Sequence, residues 1–274
     1  MRDQSISVYF ARAVLKHAVT NGVDPISLLR RNRISPRLLL EDNARISIER
    51  FADLQVSAML AMGDEALGYT SRRMPIGCWS MMCHAVIGSE TLGQALSRYC
   101  RFYQLFEFGA HTQLLQAGEE TRIRVVSAEP SGAMPDPYLV ELVLFNAHRF
   151  GSWLVQEHLP LLQVNLAYPP AASAVDYRHM FLANPVQFEQ EHSELVVSSS
   201  LLEQPLRQNE QSLRHFLRHP VLILLTQRYD RDSWTTRVRE LVRHRLQDVP
   251  ELGDVAAILE VHPQTLRRRL SAEG

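Results

Sequence analysis

The sequence predicts an α+β protein, with a mixed helical and mostly antiparallel-sheet N-terminal domain followed by an all-α helix-turn-helix segment. Three observations support this prediction. Apolar residues recur at helical spacing in the first hundred residues or so, give way to short strand-like stretches separated by turn residues, and return to helical spacing near the C-terminus. A polar stretch near residue 230 marks the boundary, so we expect domains at 1–230 and 231–274.

The composition is that of a soluble globular protein. Of the 274 residues, 46% are hydrophobic and 22% are charged, and the net charge of −1 provides no overall attraction to DNA. Any DNA contact must therefore come from a local basic patch. The N-terminus carries no secretory signal, and the longest apolar runs, such as Val221–Leu225, are too short to span a bilayer. We therefore expect a cytoplasmic protein whose three cysteines are reduced.

Four helices are predicted in the first hundred residues or so. The first covers 6–20 and ends near Gly22, the second begins after Asp24, the third covers 47–62, and Thr91 caps the fourth. The residues expected to face the core from the first, third and fourth helices are Val8, Ala11, Val14, Leu15, Ala18, Ile48, Phe51, Leu54, Ala58, Leu60, Leu92, Ala95, Leu96 and Tyr99.

Strand patterns follow. Residues 108–116 and 121–127 read as a hairpin because a short turn containing glycine separates them. A further strand is expected over 161–168, where two prolines end it. Residues 186–190 and 195–198 indicate a second hairpin across a polar turn.

The remaining pattern is helical. A long helix is predicted over 137–156, and further helices over 208–229 with a break near Pro220. Residues 230–233 read as a polar linker, after which a helix begins at Trp234. The residues expected on the apolar face of that last helix are Val238, Leu241, Val242 and Leu246.

The segment Leu252–Gly274 predicts two short helices around a tight turn, the second beginning at Pro263. The residues expected inside the pair are Leu252, Val255, Ala256, Leu259, Val261, Leu266 and Leu270. This leaves Gln264, Thr265, Arg267 and Arg268 on or near the open face of the second helix.

Those open residue types suit base recognition in the DNA major groove. Glutamine pairs bidentately with adenine and arginine with guanine, each pair giving about 1–3 kcal/mol of discrimination. We assign Arg267 and Arg268 to bases, and Arg269 to phosphate or to packing its stem on the preceding helix. The alternative is a solvated basic face on an ordinary helix pair.

The run Asp-Val-Ala-Ala-Ile-Leu-x-Val-x-Pro-x-Thr-Leu-Arg-Arg-Arg-Leu-x-x-Glu-Gly, ending at Gly274, resembles the first helix-turn-helix of AraC-type transcriptional regulators. The upstream chain is similar in plan to the effector-binding domain of an AraC subgroup, at Val14-Leu15, a glycine-rich stretch over 63–77 and Leu92-Gly-Gln-Ala-Leu-x-Arg-Tyr99. The resemblance implies base-reading residues at Gln264, Arg267 and Arg268. It also implies promoter DNA, a small organic effector, RNA polymerase and a second copy of the chain as partners, with dimerisation through the helices near 208–229.

Three departures from the family pattern affect the helix pair. His262 stands where a capping serine is usual, and Glu260 where a turn glycine is usual, each at about 1 kcal/mol. Family members also continue into a second helix-turn-helix. We therefore expect a regulator truncated after the first one, whose 274 residues bind DNA weakly because few phosphates are contacted.

The effector-binding site is expected among aromatic residues of the N-terminal domain. One candidate wall holds Tyr103 and Phe106, in a cluster with Tyr99, Phe102 and Phe108, and a second begins at Trp79. Plain core packing is the alternative for both.

Other chemistry finds no support in the sequence. The spacing of Cys78, Cys83, His84 and Cys100 matches no standard zinc pattern, which favours buried structural thiols. We find no nucleophile elbow, phosphate loop or paired carboxylates, so we expect neither an enzyme nor a metal or other cofactor. The alternative function is a sensing or dimerisation module that does not itself bind DNA.

Overall fold

The computed structural model describes residues 5–106, 108–129, 132–171, 173–182, 186–227, 234, 238, 241–242, 250–259 and 261–273. These residues combine helices with a mostly antiparallel sheet, which confirms the α+β class. The chain divides into two compact units, one spanning Gln4–Gln227 and one containing Arg228–Gly274. The roles assigned to the two predicted domains stay a prediction. In the described ranges, no helix is long and apolar enough to cross a bilayer.

The helices of the N-terminal unit are α1 (Val8–Leu15), α2 (Pro25–Arg31), α3 (Ile48–Met62), α4 (Cys78–Ile87), α5 (Leu92–Phe106), α6 (Pro137–Val155), α7 (Ala174–Phe181), α8 (Glu210–Phe216) and α9 (Pro220–Thr226). Predicted caps act as expected at two of them. The Asp24 carboxylate accepts the N–H groups of Ile26 and Ser27 at the start of α2, and the Thr91 hydroxyl accepts that of Gln94 at the start of α5.

Helix α4 is absent from the predicted elements, and its cap explains why. The Glu65 carboxylate accepts the backbone N–H groups of Gly77 and Trp79, both at 2.7 Å. The capping side chain thus lies twelve or more positions before the helix, where no local capping pattern reveals it. Gly77 itself has a φ of 102°, a conformation that glycine adopts without strain.

The main sheet has the strand order β3-β4-β7-β5-β6. Its strands are β3 (Ala110–Ala117), β4 (Glu120–Ser127), β5 (Gln163–Asn165), β6 (Val186–Gln187) and β7 (Glu194–Ser198). The first predicted hairpin is confirmed, since β3 and β4 pair antiparallel along their full lengths. A separate pair of three-residue strands, β1 (Ser5–Ser7) and β2 (Arg45–Ser47), precedes α1 and α3.

The second predicted hairpin is wrong. Strand β5 lies between β6 and β7, pairing parallel with β6 and antiparallel with β7. The local polar turn suggested adjacent strands, but strand partners are chosen by burial of their side chains. Val164 of β5 and Leu195 of β7 are opposite each other and completely buried, so the non-local pairing brings buried apolar side chains of both strands together.

Two hydrophobic clusters fill the N-terminal unit. One lies between α4, α5, α6 and the main sheet, and the other between α1, α2 and α3. Nearly all residues predicted to face the core do so. Leu60 is a correction: it is 60% exposed, because on α3 it lies on the opposite side from Leu54 and Ala58.

The C-terminal unit contains α10 (Leu252–Ile258) and α11 (Pro263–Glu273), close to the predicted helix pair. Trp234, Val238, Leu241 and Val242 are helical and pack against this pair. The predicted linker at 230–233 and Leu246 lie outside the described residues.

Candidate functional site

The helix pair is held together from one side of α11. Leu266 is completely buried, and it packs in one small cluster with Val255 and Ala256 of α10. Because successive helical residues are rotated by about 100°, the opposite side of α11 faces solvent. Exposed there are Gln264, Arg267 and Arg268, while Thr265 is half-buried. Arg269 is also exposed, but three positions after Leu266 it lies nearer the packed side.

Arg269 differs from the two arginines before it in having an aromatic partner. Its guanidinium carbon lies 4.3 Å from the centroid of the Trp234 ring, which is a cation–π distance. The sequence left two roles open for Arg269, a phosphate contact or packing on the preceding helix. The geometry is that of packing, on the helical segment before α10, and it leaves Arg267 and Arg268 as the outward-facing pair.

His262 takes up the capping role expected of serine. Its Nδ1 atom accepts the backbone N–H of Gln264 at 3.3 Å, so the ring nitrogen takes the place of the missing hydroxyl. The predicted loss at this cap is therefore at least partly offset. At α10, Asp254 accepts the N–H of Glu251 at 3.1 Å, so both helices start with a satisfied donor. Glu260 lies outside the described residues.

The aromatic residues predicted to line an effector site are not all brought together. Trp79 lies 5.3 Å from Phe150, ring centroid to centroid, and Tyr103 lies 5.1 Å from Tyr99. Tyr99 in turn approaches Phe150, so Trp79 and Tyr103 belong to one core cluster. Phe106 is 40% exposed at the end of α5.

One polar atom in that aromatic cluster is unsatisfied. The indole Nε1 of Trp79 is buried and has no hydrogen-bond partner in the described part of the chain. Burial also raises the pKa of the Tyr103 hydroxyl well above its usual value, so that group stays protonated. The cluster can therefore offer donors, but its rings are mostly packed against one another.

The cysteines are neutral thiols in apolar surroundings. Burial raises the pKa of Cys83 well above its usual value and that of Cys100 to about 11, and it also raises the pKa of Cys78. Over the described ranges, no three His, Cys, Asp or Glu side chains are grouped so as to hold a metal ion.

The sequence missed a cluster centred on Glu141 of α6. Glu141 is only 1% exposed. Its Oε1 atom accepts hydrogen bonds from the Tyr177 hydroxyl at 2.6 Å and from the Tyr168 hydroxyl at 3.4 Å. Burial raises the pKa of Glu141 to about 7, against the hydrogen bonds from the tyrosines, which lower it. The sequence feature that could have revealed this cluster is a glutamate on the inward side of a largely apolar helix.

A second buried glutamate, Glu194 of β7, stays charged because two arginines form ion pairs with it. Its two carboxylate oxygens accept Arg122 at 2.6 Å and Arg124 at 2.8 Å. Burial alone would raise the pKa of Glu194, but the hydrogen bonds from the two arginines outweigh it and lower the pKa. These ion pairs connect β4 to β7, so we interpret the network as structural.

Comparison with known proteins identifies the family. The model of the arabinose-binding domain of AraC transcription regulators, an N-terminal domain, matches residues 22–206. The chain belongs to this family. Trp79, Tyr103, Phe106 and Glu141 all lie within the matched range, whereas α10 and α11 follow it.

Relatives of this AraC-family chain are regulators. It is 28% identical over 270 residues to the ornithine utilization regulator of Pseudomonas aeruginosa, covering 98% of this chain and 79% of that protein. A crystal structure of the transcriptional regulator CdpR from Pseudomonas aeruginosa matches with 18% identity and a TM-score of 0.39, over 90% of this chain and 77% of that one.

Proposed function

We propose that this AraC-family protein binds promoter DNA through α11 and a small organic effector through its N-terminal unit. The observation that carries the DNA assignment is the arrangement of α11. Leu266 fixes one side of the helix, and Gln264, Arg267 and Arg268 are exposed on the other. Residues that pair with base edges thus project together from a helix of the kind that enters the major groove.

The arginines are given different roles. Arg267 and Arg268 contact bases, and Gln264 pairs with an adenine near the start of the helix. Arg269 positions α11 through its contact with Trp234 rather than reading DNA. Thr265 is half-buried beside Leu266, and its hydroxyl contacts a phosphate of the DNA backbone.

Hydrogen bonds connect the interior of the N-terminal unit to its C-terminal end, and we propose that effector binding acts through them. Arg149 of α6 is 4% exposed; it donates hydrogen bonds to the carbonyl of Met180 at the end of α7 and to that of Gln227 after α9. A change in the packing of α6 against α7 therefore alters contacts at the point where the chain leaves the unit. Since a relative is named for ornithine utilization, ornithine is the first effector to test.

The remaining partners follow from the family. We propose that the protein acts in the cytoplasm as a homodimer formed through α8 and α9, and that it contacts RNA polymerase at the promoter. A catalytic role is not part of this proposal, because the relatives are regulators.

An in vitro selection tests the DNA assignment. Immobilised protein is incubated with sheared genomic DNA at about 50 mM salt, where phosphate contacts are strongest. We expect enrichment of fragments that share a short motif, and loss of the motif with Arg267→Ala or Arg268→Ala.

The control is Arg37→Ala, which removes one exposed charge from the N-terminal unit. It is expected to enrich the same fragments as the wild type. Recovery of unrelated fragments by the wild type would contradict sequence-specific binding and favour a sensing module without DNA recognition.

A further inference from the structure

The carboxyl group of Glu141 has one oxygen without a protein partner. Oε1 accepts the hydroxyls of Tyr177 and Tyr168, whereas Oε2 is buried and has no donor at hydrogen-bond distance among the described residues. The Tyr9 hydroxyl is a third neighbour, and its hydrogen bonding lowers the pKa of Glu141. A buried oxygen of this kind costs free energy unless a proton or a positively charged group meets it. Either a bound proton or a cation can therefore satisfy this oxygen.

The surroundings of Glu141 come from several elements and are rich in tyrosine. The tyrosines close enough to interact with it electrostatically are Tyr9 of α1, Tyr69, Tyr138 of α6, Tyr168 and Tyr177 of α7. Tyr138 and Tyr177 are buried, while Tyr9 and Tyr168 are half-buried.

Protein cations nearby are already engaged elsewhere. Lys16, the chain's only lysine, lies 2.6 Å from the Asp136 carboxylate, and Arg45 pairs with Asp176 at 3.2 Å. Asp136 carries the other negative charge that acts on Glu141. In the described part of the chain, no arginine or lysine forms an ion pair with Glu141. Glu194 differs in this respect, because it forms ion pairs with two arginines.

We propose that Glu141 and its tyrosines bind a protonated amine of the small organic effector. An ammonium group supplies both the charge and the N–H donors that Oε2 lacks, and the faces of tyrosine rings attract cations. The proposal rests on the effector-binding function proposed above and gives that effector a chemical class. It also places the effector against α6 and α7, the helices that Arg149 connects to Gln227.

A proton competes with the amine for the same oxygen. Because burial raises the pKa of Glu141 to about 7, the carboxyl is partly protonated at neutral pH. An amine that binds the carboxylate therefore displaces a proton, and this release distinguishes a cation site from a carboxyl that is simply buried in its neutral form.

Isothermal titration calorimetry on residues 1–274 at pH 7 tests the proposal. The probes are ornithine, 1,4-diaminobutane and, as an amine-free control, pentanoate, each measured in phosphate and in MOPS, neither of which carries a primary ammonium group. We expect at least one of the two amines to bind, pentanoate not to bind, and the enthalpy of amine binding to differ between the buffers because a proton is released.

Two variants give the residue-level test. Glu141→Gln keeps the shape of the side chain but cannot pair with a cation, so we expect the affinity for the amine to fall about tenfold or more and the buffer dependence to vanish. Glu203→Gln makes the same chemical change at an exposed glutamate to which no role is assigned, and it is expected to behave like the wild type. Circular dichroism checks that both variants are folded, and the buffer dependence is measured on the wild type and on both variants.

The proposal is wrong if neither amine binds at about 10 mM, if pentanoate binds as tightly as the amines, if no proton is released, or if Glu141→Gln binds like the wild type. These outcomes leave the DNA selection untouched. An effector without an amine that changed DNA binding would keep the proposed function and remove only the amine assignment.

Discussion

The two buried glutamates show how the same residue type acquires opposite properties. Glu194 faces two arginines across β4 and β7, and its pKa is lowered, so it is a charged structural group. Glu141 meets only tyrosine hydroxyls and a distant negative charge, and burial raises its pKa to about 7. The second arrangement gives the fold a group that titrates near neutral pH.

The first prediction concerns stability and pH. The pKa of Glu141 is higher in the folded protein than its ordinary value of 4.5, so the folded state holds a proton that the unfolded state releases. The stability from this group is present below about pH 4.5 and is lost as the pH rises through about 7. We expect Glu141→Gln to remove this loss, which amounts to roughly 3 kcal/mol at most.

Urea denaturation at several pH values between about 4.5 and 8 measures this difference. The free energy of unfolding of the wild type should decline relative to that of Glu141→Gln across the range. Parallel curves for the two proteins would show that Glu141 is not the titrating group.

The sequence could reveal only part of this cluster. The position of Glu141 within a largely apolar helix is visible, because the helical period places it on the buried side with Leu144 and His148. Its partners Tyr168 and Tyr177 are 27 and 36 positions away, and only the tertiary fold brings them together.

At the scale of helices and strands, the sequence predicted those elements that depend on interactions between residues close together in the chain. The caps at Asp24 and Thr91 and the hairpin of β3 and β4 depend on residues a few positions apart, and they were predicted. Helix α4 and the pairing of β5 with β6 depend on distant partners, and they were missed.

The second prediction concerns the support of α11. Trp234→Ala removes the ring on which the Arg269 guanidinium rests, and we expect DNA affinity to fall about two- to fivefold. Trp234→Phe keeps an aromatic face and should lose less. Fluorescence anisotropy with the selected DNA measures both; unchanged or tighter binding by Trp234→Ala would instead assign Arg269 to phosphate.

The third prediction concerns the core of the helix pair. Leu266→Ala opens a cavity in a cluster with few buried residues, at a cost of about 2–5 kcal/mol to that unit. Amide hydrogen exchange should rise over 250–273 and stay unchanged over α1 to α9. Leu40→Ala, at a residue 85% exposed, is the matched control and should leave both regions unaffected.

At the scale of the whole molecule, the two units were predictable to different depths. The terminal motif indicated both structure and chemistry, because a short run of residues specifies a helix pair and its exposed face. The N-terminal unit was predictable as a fold class, and its family agrees with the resemblance. Its effector site stays a prediction, although Tyr103 is buried in the core cluster and Trp79 packs against it.

The fourth prediction follows from the small number of phosphates that one helix pair can contact. Residues 1–274 should bind DNA weakly, and the logarithm of the association constant should fall with the logarithm of salt with a slope near −0.9 per phosphate contacted. We expect a shallow slope, of about −2 to −4. Anisotropy titrations at several salt concentrations measure it, and nanomolar sequence-selective binding would contradict the expectation of weak binding.

The most direct test of the central claim is the selectivity of DNA binding by α11. The ratio of affinities for a selected fragment and a scrambled one is measured at low salt for the wild type, Arg268→Ala and Arg37→Ala. We expect a ratio well above one for the wild type and Arg37→Ala, and a ratio reduced about tenfold or approaching one for Arg268→Ala. A ratio that Arg268→Ala leaves unchanged would contradict the assignment of this helix to base recognition.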